Sequence, residues 1–145
     1  MTPRVALVGC GKAKADVPKP ALQLYTGRLF RAAADFATAT HDEVFIVSAL
    51  HGLLAPEKEI APYELTITGL APEDRAAWGA DVVRALREAM GVPFACTVLM
   101  GESYARWLRP HLPDGTTYPL ERIAGVGPRI VWMRAQLADA GGLPC

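Results

Sequence analysis

The chain has 145 residues, 15 Lys and Arg against 15 Asp and Glu, and 51% hydrophobic residues. That length suits one domain with a real core, and a formal net charge of zero excludes a protein that coats DNA regardless of sequence. Its three cysteines, Cys10, Cys96 and Cys145, are too few and too far apart for a disulfide framework or a zinc spacing.

No secretory signal pattern and no apolar run of bilayer length is read, so a cytosolic, reducing location without a membrane partner is the expectation. Residues 4–9 form an apolar run that predicts a buried strand. Residues 10–25, with Pro18 and Pro20, read as a long loop. Thr26 is the expected N-cap of a helix to about residue 38, with Leu29, Phe30, Ala33, Phe36 and Ala37 on its inner face. Residues 44–47 predict a second buried strand, and residues 52–71 a second long loop. Pro72, followed by Glu73 and Asp74, suits a helix start, and that helix runs to about Met90. Trp78, Val82, Ala85, Leu86 and Ala89 line its apolar stripe. Residues 94–100 predict a third strand, turning at Gly101 into a helix through Arg109 whose buried side is Tyr104, Trp107 and Leu108. Residues 116–118 are a candidate fourth strand, and a last helix starting at Pro128 carries Ile130, Val131, Met133 and Leu137.

Strand and helix alternate, so the expected fold is a three-layer single α/β domain with a mostly parallel central sheet of about four strands. Right-handed crossovers place helices on both faces. The stretches 9–14, 48–52 and 101–103 all follow the carboxyl end of a strand, so they lie on one edge of the sheet, where ligands of such folds bind.

At the first of these, Gly9-Cys10-Gly11 lets the backbone turn tightly, and Lys12 and Lys14 add positive charge, as an anion such as phosphate requires. Neither a GxxxxGK[ST] nor a GxGxxG motif is present, and a plain turn with two solvated lysines explains the same residues. Cys10 is a candidate nucleophile beside those cations, with His51 as its base if the two exits adjoin; the alternative is a small residue filling a turn. His51 is also a candidate general acid. Tyr25 and Thr26 close the first loop at a helix start and are read as ligand contacts: the N-terminus at Thr26 suits an anion, and Tyr25 has the means to stack on a base or bond a sugar. Tyr63 repeats the theme as a ligand contact or a lid, and Glu64 and Glu102 are the candidate catalytic carboxylates. Ser48 and Gly101 are read as ligand contacts, and Tyr104 as core. No metal or cofactor is read.

Residues 120–129, Leu-Glu-Arg-Ile-Ala-Gly-Val-Gly-Pro-Arg, resemble a helix-hairpin-helix hairpin, which implies DNA phosphate contacts near Arg122, Arg129 and Arg134. A tight turn before a closing helix accounts for them equally. Taken together, Leu7-Val-Gly-Cys10-Gly-Lys-Ala-Lys14, the stretches 21–30 (Ala-Leu-Gln-Leu-Tyr-Thr-Gly-Arg-Leu-Phe), 46–54 (Ile-Val-Ser-Ala-Leu-His-Gly-Leu-Leu) and 61–66 (Ala-Pro-Tyr-Glu-Leu-Thr), Met100-Gly101-Glu102-Ser-Tyr104, and the run from Pro119-Leu120 through Gly125-Val-Gly127 to Trp132 resemble the YaaA-like, peroxide-stress-like family of bacterial and phage domains over nearly the whole chain. The Cys-x-Lys-x-Lys segment is also similar to one in uracil-DNA-glycosylase-like domains. These likenesses imply a nucleotide or nucleobase as partner, with hydrolysis or transfer at an N-glycosidic bond among the chemistries open to it. The family pattern usually has Asp where this chain has Glu64, and Lys or Tyr where it has Leu50. The expected function is therefore a nucleotide- or nucleobase-binding enzyme. The other reading is a non-catalytic DNA-binding stress-response module.

Overall fold

The computed structural model describes residues 2–139; Cys145 lies outside them. The elements run β1 (Arg4–Gly9), β2 (Lys19–Pro20), α1 (Ala21–Leu24), α2 (Arg28–Thr40), β3 (Glu43–Ser48), β4 (Gly52–Leu54), β5 (Glu59–Ile60), α3 (Pro72–Met90), β6 (Ala95–Leu99), α4 (Glu102–Leu108) and α5 (Val126–Asp139). One sheet has the order β4-β3-β1-β6. β1 is central and parallel to both β3 and β6, and β4 folds back antiparallel on β3. This is the expected α/β fold with a mostly parallel sheet.

A strand covered on both faces needs apolar side chains at consecutive positions rather than alternate ones. β1 meets that condition, since Val5, Ala6, Leu7 and Val8 are all fully buried. Ala6 and Val8 pack with Phe30, Ala33 and Ala37 of α2 and Met133 of α5. Val5 and Leu7 point the other way, to Trp78, Val82 and Leu86 of α3 and Ala105 and Leu108 of α4. The helices therefore form two outer layers, and the 2.0-residue alternation of one strand feeds both cores.

Several expected boundaries move. The strand expected at residues 116–118 is a single parallel bridge, Thr117 to Thr97, and the sheet's fourth strand is β4, inside the stretch read as a loop. The two long loops are not structureless, because β2 pairs with β5 and joins them into a small second sheet. Lys14 also bridges Tyr25, with Ala15 N–H donating to the Leu24 carbonyl at 2.8 Å. Thr26 is exposed and does not cap α2. Its N–H donates to the Ala13 carbonyl at 3.0 Å, and Gly27 takes the cap position without a side-chain bond. α5 begins at Val126 rather than Pro128, and Val131 is exposed on it. α3 ends on Gly91 in the left-handed region, at φ 67°, a conformation glycine adopts without a Cβ clash.

The connection β1–α2–β3 steps to one side of β1, and β3–α3–β6 crosses back to the other. The chain thus diverges beyond the carboxyl ends of β1 and β6. That divergence is a topological switch point, where open α/β sheets leave a crevice.

Candidate functional site

Gly9 ends β1 against the end of β6. A Cβ at Gly9 would stand 2.6 Å from the Met100 Cβ, so only glycine permits this approach. The turn that follows is held by Cys10 N–H donating to the Val47 carbonyl at 3.0 Å. All three exits therefore leave one edge, as expected from the parallel register.

Two cavities flank the Cys10-Gly11-Lys12 turn. One, of about 500 Å³, lies under residues 64–68 and is lined by Cys10, Lys12, Lys14, Glu64, Thr66, Ser103 and Tyr104 among others. The second, of about 420 Å³, lies between the turn and the start of α2, where Gly27, Arg28 and Phe30 meet Gly9, Gly101 and Ile130. Cys10, Gly11, Lys12 and Tyr104 line both. The start of α2 has no side-chain cap and no acidic residue in its first turn, so its positive dipole end is uncompensated where it borders the second cavity.

Lys12 is exposed, whereas Lys14 is partly buried. The Lys14 Nζ lies 4.6 Å from the centre of the Tyr63 ring and 5.7 Å from that of Tyr25, and donates to the Lys12 carbonyl at 3.2 Å. Beneath it runs a chain of hydroxyls. Tyr25 and Tyr63 share a bond of 2.5 Å, and Tyr63 and Ser48 one of 2.6 Å. Ser48 also accepts the His51 N–H at 3.1 Å, and its carbonyl accepts Trp78 Nε1–H at 3.0 Å. Burial pushes the Tyr25 phenol up to about 12, and raises Tyr63 as well, so both are neutral donors at ordinary pH.

The expected roles divide accordingly. Tyr25 and Ser48 are fully buried, so neither touches a ligand; they hold Tyr63 from behind. Cys10 and His51 do not pair: the Cys10 thiol donates to the Tyr104 hydroxyl at 3.7 Å, while the His51 ring packs edge-on to Tyr63 with centroids 5.2 Å apart. Burial first, then the Lys58 charge, hold the His51 imidazole below its ordinary value. Glu102 turns away from both cavities. It binds Arg109 at 3.2 Å, and Arg109 also binds Glu121 at 3.0 Å, at a separate cleft. Gly9, Gly11, Lys12, Lys14, Glu64 and Gly101 do border the two cavities.

Arg28, Thr66, Ser103 and Tyr104 were not read as site residues. Arg28 follows Gly27 at a helix start, and Ser103 and Tyr104 follow a strand exit, so their positions hold a signal; Thr66 ends the family-like stretch 61–66 but has no chemistry of its own that marks it. Residues 119–122 form turns and no helix, so the hairpin resemblance lacks its first helix. Arg134 pairs with Asp35 at 2.7 Å and Arg129 donates to the Ile123 carbonyl at 2.7 Å. Among the described residues no group of three His, Cys, Asp or Glu has the placement to hold a metal, and no helix is long and apolar enough to cross a membrane.

Fold and site together define a three-layer α/β protein with a cationic, hydroxyl-lined cleft at its switch point. The chain belongs to the family described as "Family of unknown function (DUF6884)", matched over residues 5–135. Among curated proteins none matches it.

Proposed function

We propose that the cleft binds a nucleotide and that the protein acts on its N-glycosidic bond. The observation that carries this reading is the pair of cavities at the switch point, joined by Lys12 and Tyr104. The phosphate takes the cavity between the β1 turn and the start of α2, with Lys12, Arg28 and free backbone N–H groups as partners. The sugar and base take the other cavity, where Thr66 and Ser103 offer hydroxyls. Glu64 is the acidic residue bordering that cavity. A carboxylate beside the sugar stabilises the oxocarbenium-like charge that develops as a glycosidic bond breaks. His51 lines neither cavity and packs edge-on to Tyr63, so it orients rather than reacts.

Nucleobases, nucleosides and nucleoside 5′-monophosphates, each tested by thermal shift, check the reading. A ligand at a hundred times its Kd stabilises the folded chain by about 2.7 kcal/mol, roughly 5–10 °C in Tm for a chain of this size. At least one monophosphate raises Tm by that amount, Lys12→Ala removes the rise, and chromatography of the same mixture shows free base. The absence of any shift across the panel sinks the reading; binding without base release sinks its catalytic half.

A further inference from the structure

Tyr104 follows the β6 exit in the first turn of α4. Its ring packs edge-on to Trp78, centroids 5.7 Å apart, which is why its sequence position reads as core. Yet it is one of the few residues that border both cavities.

Its hydroxyl oxygen accepts the Ile67 N–H at 3.2 Å and the Cys10 thiol at 3.7 Å. A phenol oxygen with both acceptor positions filled still has one O–H to donate. Among the described residues no oxygen accepts that proton, and the nearest alternative, the Cys10 sulfur, is a weak acceptor. Burial raises the phenol above the ordinary tyrosine value, so the proton stays on the oxygen at physiological pH. The same walls carry Lys12 and Lys14, so the acceptor best matched to this donor is an anionic oxygen.

We propose that Tyr104 donates a hydrogen bond from its hydroxyl to an anionic oxygen of the bound ligand, and so sets a preference for a nucleoside phosphate over the neutral nucleoside. Ile67 and Cys10 act behind it, turning the O–H toward the join of the cavities. This rests on the reading of the cleft as a nucleotide site.

The test is calorimetric titration of wild type and Tyr104→Phe with the common nucleosides and their 5′-monophosphates. Wild type binds a monophosphate more tightly than its nucleoside. Tyr104→Phe loses about ten-fold on the monophosphate, the effect of one hydrogen bond to a charged group, and keeps its nucleoside affinity. An unchanged ratio between the two ligands overturns the inference, and so does an equal loss on both, which marks a structural role. Wild type that binds neither ligand brings down the nucleotide reading itself, and this inference with it.

If Tyr104→Phe does not fold, the wild type answers directly. The chain has four tyrosines, so a sample carbon-labelled at tyrosine Cζ has four signals, assigned by Phe substitutions at the other three. The Tyr104 signal moves on adding the monophosphate and stays on adding the nucleoside; a signal that stays in both overturns the inference.

Discussion

Tyr25 and Tyr63 stand 38 positions apart and share one short hydrogen bond. Each reads alone as a polar aromatic in a loop, with equal claim to a ligand. Only the folded chain separates them, because Tyr25 is fully enclosed while Tyr63 is half-buried under Lys14, which itself lines the cleft. The enclosed hydroxyl of Tyr25 has Tyr63 as its hydrogen-bond partner, so Tyr63→Phe leaves it unsatisfied at a cost of about 1–3 kcal/mol. Removing both partners of a buried bond is far milder than removing one. Urea denaturation therefore shows Tyr63→Phe destabilised and the Tyr25→Phe/Tyr63→Phe pair recovering part of the loss. A double variant that is simply the sum of the two single losses contradicts this account. Gly9, Gly11 and Lys12 border the cavities at a place where residue type and strand exit agree. Glu102 was misplaced because an exit position does not say which way a side chain turns, and Arg109 holds this one aside.

Elements follow the same division. β1, β3 and β6 were legible because strands covered on two faces are continuous apolar runs. β4 has three residues, and β2 and β5 two each, too short for any period to register; tertiary pairing defines them. α3 was legible from its stripe, but one member of its buried face carries no hydrophobic signal. Gly79 meets the backbone of α4, where a Cβ would run into the Trp107 carbonyl, so the two helices touch main chain to main chain. The obstacle is backbone and cannot rotate away. Gly79→Ala costs about 3 kcal/mol as overpacking of a dense contact, which lowers Tm by roughly 6–12 °C at this chain size. A melting scan within a degree or two of wild type shows that α4 yields freely. Ser103 and Tyr104 ride on α4, so a displaced α4 also weakens whatever the cleft holds.

At the scale of the molecule, acid stability reports how the sheet is closed at the end opposite the cleft. His41 caps that end, between Thr40 Oγ1 at 2.8 Å and Thr97 Oγ1 at 2.9 Å. Burial first, then the Arg4 charge, hold its imidazole below the ordinary value of 6.5, and His51 is shifted the same way. A base with a depressed folded pKa binds its proton more readily when unfolded. Its stabilisation is present above 6.5 and is lost as pH falls below it. Tm is therefore lower at about pH 5.5 than at about pH 7.5, above the main carboxylate range, and His41→Gln flattens the difference. Equal Tm at the two pH values contradicts the assignment. The amino-acid sequence by itself determined the layer order, the central place of the apolar strands and the edge on which the exits gather. Those follow from periodicity and chain handedness, which are local properties. Tertiary structure alone decided that two long loops pair with each other, that Tyr25 and Ser48 lie beneath the cleft rather than in it, and that Tyr104 joins two cavities. Each of these depends on contacts between residues far apart in the chain, and burial and side-chain direction exist only once those contacts have formed.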